Sequence, residues 1–258
     1  MGTRNLTVVI KNGNVRVAQY CQWDGYPDGQ GIAILEFLRD KYDPVEFERN
    51  LAKTRVLNNL EVGKLYKDFG AVDGLVSLEV SKSFEEEYPT LHRNMGGDVL
   101  AYIQNNAGVP LGFDFEFGYD SLFCEWAYVV DLDRSMLEVY GGFQTEPLPK
   151  TERWFKAEMS EHNETRKEDE WYYGVKKLVE FPLIDLPEND DFVKEVEYIA
   201  HWQDRRRELN KVVKSFEKHV DTVEEYDKSM YEGVVNYLKA NADDIFDAIY
   251  VEQEEDES

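Results

Sequence analysis

The chain has 258 residues and carries 53 Asp and Glu against 29 Lys and Arg, a formal net charge of −24. A field of that sign repels nucleic acid and anionic membrane, so direct nucleic-acid binding and membrane attachment are not expected. Hydrophobic residues make up 42 % and aromatics 14 %, which separates the chain from disordered acidic sequences and supplies a core.

The chain opens with a β-branched run, Leu6 to Ile10, followed by Lys11-Asn12-Gly13-Asn14. Asn-Gly between strand-like runs is a strong hairpin signal. The returning strand, Val15 to Trp23, alternates: Val15, Val17, Gln19, Cys21 and Trp23 are expected on one face, Arg16, Ala18, Tyr20 and Gln22 on the other. Asp24 to Gly31 reads as a Gly- and Pro-rich turn. Ile32 to Lys41 has helical spacing at Ile32, Leu35 and Leu38, and Pro44 opens a further short helix through Ala52. Residues 60–94 mix short helices and loops, and Gly97 to Asn106 reads as helix. Strands are expected at Phe113 to Phe117 and Leu122 to Val130. The turn Asp131 to Ser135 and the return Met136 to Phe143 complete a second hairpin. Lys156 to Glu170 is polar and reads as an exposed loop, and Tyr172 to Leu183 as a last strand.

From Pro187 the character changes. Phe192, Val196, Ile199, Leu209, Val212, Val213 and Phe216 form an apolar stripe on a helix from Asp190 to His219. Helices are expected at Val223 to Ala240 and Asp243 to Val251, and residues 252–258 form an acidic tail. The acid excess is concentrated here: 30 acids and 15 bases after residue 150, against 23 and 14 before it. The expectation is an α+β domain over 1–186, with antiparallel sheet built from two hairpins and flanking helices. A helical C-terminal region over 187–251 and the tail follow.

Cys21 and Cys124 are far apart in strand-like apolar runs and suggest no disulfide framework, so a reducing, cytoplasmic setting is expected. No apolar run approaches the roughly 20 residues of a membrane span, and no secretory h-region opens the chain. Met1-Gly2 would suit myristoylation, but the pattern asks for Ser or Thr where Leu6 stands.

The densest motif is Gln19-Tyr20-Cys21-Gln22-Trp23-Asp24-Gly25-Tyr26-Pro27-Asp28-Gly29-Gln30-Gly31, which leaves a strand, turns and enters a helix. Helix N-termini attract anions, and aromatic, amide and carboxylate groups can line a pocket. Gln19, Trp23, Asp24, Tyr26, Asp28 and Gln30 are therefore the candidate ligand- or partner-binding residues. The glycines fit no dinucleotide fingerprint, and no Lys follows as a P-loop requires. The same residues also fit a structural corner, with Trp23 and Tyr26 in the core and Asp28 capping the helix.

Other constellations are weaker. An N-terminal nucleophile would need a terminal Cys, Ser or Thr, and loss of Met1 exposes Gly2, with Thr3 one residue further on. Asp24 with Asp28, Asp120 with Glu125, and Asp131 with Asp133 are acid pairs of the kind used for glycosides or divalent cations, in a chain where chance pairs abound. His92, His162, His201 and His219 show no ligand spacing, so no metal or other cofactor is expected. Arg205-Arg206-Arg207 reads as a solvated face or a partner for neighbouring acids.

The opening Met1-Gly2-Thr3-Arg4-Asn5-Leu6, the Gln19–Gly31 motif, the segment Phe123-Cys124-Glu125-Trp126-Ala127-Tyr128-Val129-Val130-Asp131-Leu132-Asp133 and Val179-Glu180-Phe181-Pro182-Leu183 together resemble an uncharacterised family of phage and prophage proteins, over roughly residues 1–187. The resemblance implies a phage or prophage context in host cytoplasm and carries over no functional residues. With the acidity and the missing catalytic signature, the leading expectation is a phage-encoded, non-enzymatic binding protein. It would act on a host protein with a basic surface or on a host defence system. The alternative is a small-molecule-binding protein or enzyme with its site at the Trp23–Gly31 corner.

Overall fold

Asn12 and Gly13 both take left-handed backbone, φ 55° and 68°, as a two-residue hairpin turn with the right twist demands. They join β1 (Asn5–Lys11) to β2 (Asn14–Cys21) in the expected antiparallel pair. The alternation along β2 is broken, however. Val9 faces Val17 while Ile10 faces Val15, so Arg16 is the extra residue of a bulge. Val17 packs into one core, Val15 against the other beside Leu6, Val8 and Ile10, so the expected shared face of Val15 and Val17 does not exist.

The computed structural model describes residues 2–72, 75–156, 163–164, 167, 171–220 and 225–242. β5 (Trp126–Asp131) and β6 (Met136–Gly141) form the second hairpin, and β7 (Lys176–Pro182) pairs antiparallel with β6. The two hairpins are not separate sheets. β1 pairs with β5 in parallel, giving one five-stranded sheet of order β2-β1-β5-β6-β7. β3 (Arg55–Val56) and β4 (Pro110–Leu111) make a small parallel pair of their own.

Both sheet faces are covered, which is why Leu6, Val8 and Ile10 on one face and Val9 on the other are all apolar. On one face Val9, Val17, Tyr128, Val130, Leu137 and Val139 meet the helices. These are the helical run 27–41, α2 (Pro44–Leu51), α5 (Asp98–Asn105) and the first turns of α6 (Asn189–Val220), through Phe192 and Val196. The run 27–41 is wound as π-helix at Pro27–Gly31, as α1 at Ile32–Glu36, and again as π-helix at Phe37–Lys41. Helix thus begins at Pro27, inside the expected turn, because proline's missing N–H costs nothing in a first turn. α3 (Asn59–Asp68) and α4 (Leu78–Glu87) enclose a satellite cluster in which Tyr66 stacks on the buried Phe84.

On the other face Leu6, Val8, Ala127, Val129 and Tyr140 lie beneath loops carrying Phe115, Phe117, Leu148 and Trp154. The expected strand Phe113 to Phe117 is instead one bridge, Ala18 to Phe113, followed by a 3-10 turn at Phe115–Tyr119. Trp154 is the reason. Its indole donates to Phe115 O and fills the space a side chain at Gly118 would need, so the chain must turn tightly beneath it. The expected strand at 122 likewise begins only at Trp126, because Cys124 N donates to Asp120 O in a turn.

By its contacts the chain divides into two units, Met1–Val196 and Glu197–Ser258. Within the second, the rest of α6 and α7 (Glu225–Ala240) carry buried Val213 and Val235, a Phe216–Tyr231 ring contact and a Lys239–Glu217 ion pair. Val212, expected in the apolar stripe, is exposed. The α+β class with a helical C-terminal part holds. The helix expected at 243–251, the acidic tail and most of the 156–170 loop lie outside the described residues. Among the described residues no helix is long and apolar enough to cross a membrane.

Two carboxylates stitch this architecture. Glu138 on β6 is 1 % exposed, yet it meets Arg134, Arg153 at 2.6 Å and the Tyr140 hydroxyl at 2.8 Å. Burial, then the Glu138 charge, pushes the Tyr140 hydroxyl pKa up. Removing one partner of a buried ion pair leaves the other uncompensated. Glu138→Ala is expected to cost about 3 kcal/mol in denaturant unfolding, and Glu138→Gln clearly less. Equal costs for the two would mean that charge is not what Glu138 supplies.

Asp133, in the second hairpin turn, accepts from Asn12 N at 2.8 Å and Gly13 N at 2.7 Å, and these bonds lower its pKa. A depressed folded-state pKa stabilises above the unfolded value of about 3.9 and is lost as pH falls through the folded one. Asp133→Ala should therefore unfold earlier in denaturant at neutral pH, with the gap to the parent closing in acid. A gap that stays constant into acid would rule out the charge-dependent contact.

Candidate functional site

The sheet topology gathers loops that the sequence keeps apart. Asn5 pairs with both Cys21 and Trp126, and Trp126 with Gly141. The residues before β1, after β2, before β5 and after β6 therefore lie at one end of the sheet. Four of the exposed large apolar side chains sit in these loops: Trp23 (48 %), Tyr26 (52 %), Phe123 (41 %) and Phe143 (44 %). Asp24, Asp28 and Glu125 accompany them.

The backbone here is held firmly in an unfavourable form. Asp24 and Phe143 have φ 59° and 55°, a left-handed conformation that is uncommon for Asp and a genuine outlier for Phe. Such residues persist where their surroundings over-determine them. Around Asp24, its own carbonyl accepts from Gln30 N, Gly25 N donates to Thr3 O, and Trp23 O receives Asn5 Nδ2 and Cys21 Sγ. Around Phe143, its N–H donates to Ser121 O at 2.7 Å, Gly142 N to Glu125 O and Gln144 N to Ser121 Oγ. Gly29 is fixed by the same corner, since a Cβ there would stand 2.5 Å from Asp24 O. The glycines of the motif thus serve close backbone packing.

The six candidate residues of the motif separate into two groups. Gln19 is buried and donates through Nε2 to Tyr20 O and His92 O. Gln30 turns inward, its Oε1 accepting from Gly97 N at 2.7 Å beside the start of α5. Trp23, Asp24, Tyr26 and Asp28 remain at the surface. Trp23 and Tyr26 are therefore not core, and Asp28 makes no capping bond, the N-cap position being Tyr26. The space beside the Trp23 ring is occupied on one side by Gly2, where a Cβ would overlap the ring.

Sequence reasoning missed Phe123 and Phe143, placing both inside strands. The Gly141-Gly142 pair before Phe143 was the available sign that the strand ends there. Phe123 is held by the Arg4 guanidinium, 4.6 Å from its ring centre, and Arg4 also reaches Glu125.

The remaining constellations are occupied by structure. Asp131 Oδ1 accepts from Asp133 N and Arg134 N, and Asp133 holds the first hairpin turn. His92 Nδ1 lies 3.1 Å from Glu85, and His201 is exposed on α6. His162 and the His219 side chain lie outside the described residues. In the basic run, Arg206 covers the Trp202 ring and Arg207 pairs with Asp204. Among the described residues no group of three or more His, Cys, Asp or Glu is placed to hold a metal ion.

Cys21 and Cys124 are free and buried, donating to Trp23 O and Trp126 O. Burial pushes both thiol pKa values up, Cys124 strongly, and the thiolate is the reactive form. A thiol reagent such as iodoacetamide is expected to modify neither cysteine in the folded protein and both after denaturation. Rapid native labelling of Cys21 would show instead that the corner opens.

Comparisons with protein-family models, with curated proteins and with solved structures found no match.

Proposed function

We propose that this chain is a phage-encoded, non-enzymatic binding protein that engages a basic surface of a host protein, such as a component of a host defence system, in the host cytoplasm. The observation that carries the reading is the end of the sheet: Trp23, Tyr26, Phe123 and Phe143 are exposed there, with Asp24 and Asp28 exposed in the Trp23–Gly31 corner. Exposed aromatics are the side chains that dominate protein interfaces, through large buried area at low entropic cost. Carboxylates beside aromatic faces suit Lys and Arg, which pair with the first and lie over the second. The net charge of −24 adds long-range attraction for a basic partner. The phage and prophage resemblance of the sequence supplies the host setting.

The binding surface rests on stiff elements. Its loops are hydrogen-bonded to one another and to β1, so little ordering is left to be lost on association. The test is affinity capture from bacterial lysate, comparing the parent with Trp23→Ala/Phe123→Ala. The double variant should retain its fold, because both side chains are partly exposed. A protein captured by the parent at low salt is expected to be lost with the double variant. It should also be lost near 1 M salt, where the screening length is about 3 Å. Equal capture by parent and variant, or no capture at low salt, would overturn the reading.

A further inference from the structure

A second feature lies along the outer edge of β2, where the segment 112–114 bridges to Ala18. Val56 at the end of β3, Leu57, the start of α3, Leu91 and the segment 112–114 bound a solvent-open groove of about 490 Å³. Small-molecule sites commonly span about 300–1,000 Å³. Val56, Leu57, Val62 and Leu91 supply an aliphatic wall, and Phe113, 45 % exposed, an aromatic one.

The polar lining is one-sided in charge. Among the described residues it contains Glu61 and Asp114 and no lysine or arginine. Glu61 is already committed. It shares a capping box with Asn58, each side chain accepting from the other's N–H at 3.0 Å, and it pairs with Arg55. The helix N-terminus is thereby satisfied and offers little to an anion. Asp114 is different. Its N–H donates to Ala18 O, and its carboxylate accepts from Tyr20 N–H, which fixes it against the edge of β2. Burial raises its pKa, that one hydrogen bond opposes, and no cation contributes. The group remains accessible to solvent. It is thus a carboxylate set in a concave wall, reachable from outside and without a cationic partner among the described residues.

We propose that this groove binds a small organic cation, an ammonium or guanidinium carried on an apolar body, with the charge at Asp114 and the body against Phe113 and the aliphatic wall. A cation is attracted both by the carboxylate and by the aromatic face. The site is independent of the protein-binding surface, and each stands if the other fails.

The test is titration of the full chain with phenethylamine, with agmatine as the guanidinium probe, and with phenethyl alcohol as the neutral isostere of the amine, followed by NMR or calorimetry. At least one cation is expected to bind saturably, shifting resonances of Val56, Val62 and Phe113. The amine should bind about tenfold or more tightly than the alcohol. Asp114→Asn keeps an oxygen for Tyr20 N–H and should reduce the cation to the affinity of the alcohol. Gly112→Leu leaves Asp114 in place and fills the space beside it, since a Cβ at Gly112 makes only ordinary contact, 3.8 Å from Asp114 Oδ2. It should abolish binding of all three. No saturable binding of either cation would overturn the proposal. So would equal affinity for amine and alcohol, or cation binding unchanged in both folded variants.

Discussion

The parallel pairing of β1 with β5 is the contact on which the rest of unit 1 depends. Each hairpin alone is a two-stranded ribbon, marginal in water. Joined edge to edge through β1 and β5, and with β7 added beside β6, they become a sheet with three interior strands and two buried faces. The direction of the joint matters as much as its existence. Because β1 and β5 run the same way, the chain entering each of them, and the chain leaving their hairpin partners, arrives at one end. An antiparallel joint would have sent Phe123 and Phe143 to the opposite end from Trp23 and Tyr26.

Much of this was legible in local sequence, and what was not has a common cause. Asn12-Gly13 marked the first hairpin because its backbone needs are met by few residue pairs. The Pro44 helix and the α6 stripe follow from proline's first-turn tolerance and from 3.6-residue spacing. The joint between hairpins has no comparable signature, since pairing partners are chosen by burial and not by neighbours in the chain. The bulge at Arg16 escaped for the same reason. Val15 is apolar on either face, and only contact with Leu6, Val8 and Ile10 shows which face it takes. Phe113 to Phe117 alternates as a strand does, and Trp154, far along the sequence, overrides the pattern by sitting on Gly118.

The density of the Gln19–Gly31 motif has two origins that sequence alone could not separate. Gln19, Gln30, Gly25 and Gly29 serve the corner's own hydrogen bonds and close packing. Trp23 and Tyr26 give the corner only their backbone carbonyls, and their side chains are about half exposed. The acids divide similarly. Glu138, Asp131 and Asp133 are absorbed into the frame by guanidinium groups and backbone N–H groups. Asp24 and Asp28 stay at the surface, and Asp114 lines the groove.

The central place of β1 also bears on how the chain is made. The first strand synthesised is an interior strand whose second neighbour arrives much later: Arg4 and Glu125, hydrogen-bonded at the head of the joint, are 121 positions apart. Until β5 emerges, the β1–β2 hairpin carries Leu6, Val8, Val9 and Ile10 on a bare edge, the kind of template that other chains can extend. Contacts of such long range also slow folding, because the loop must close before the pairing rewards it. The growing chain therefore passes through a period in which its most apolar strand is unprotected, and it does so before most of the acid excess, which lies after residue 150, has been made.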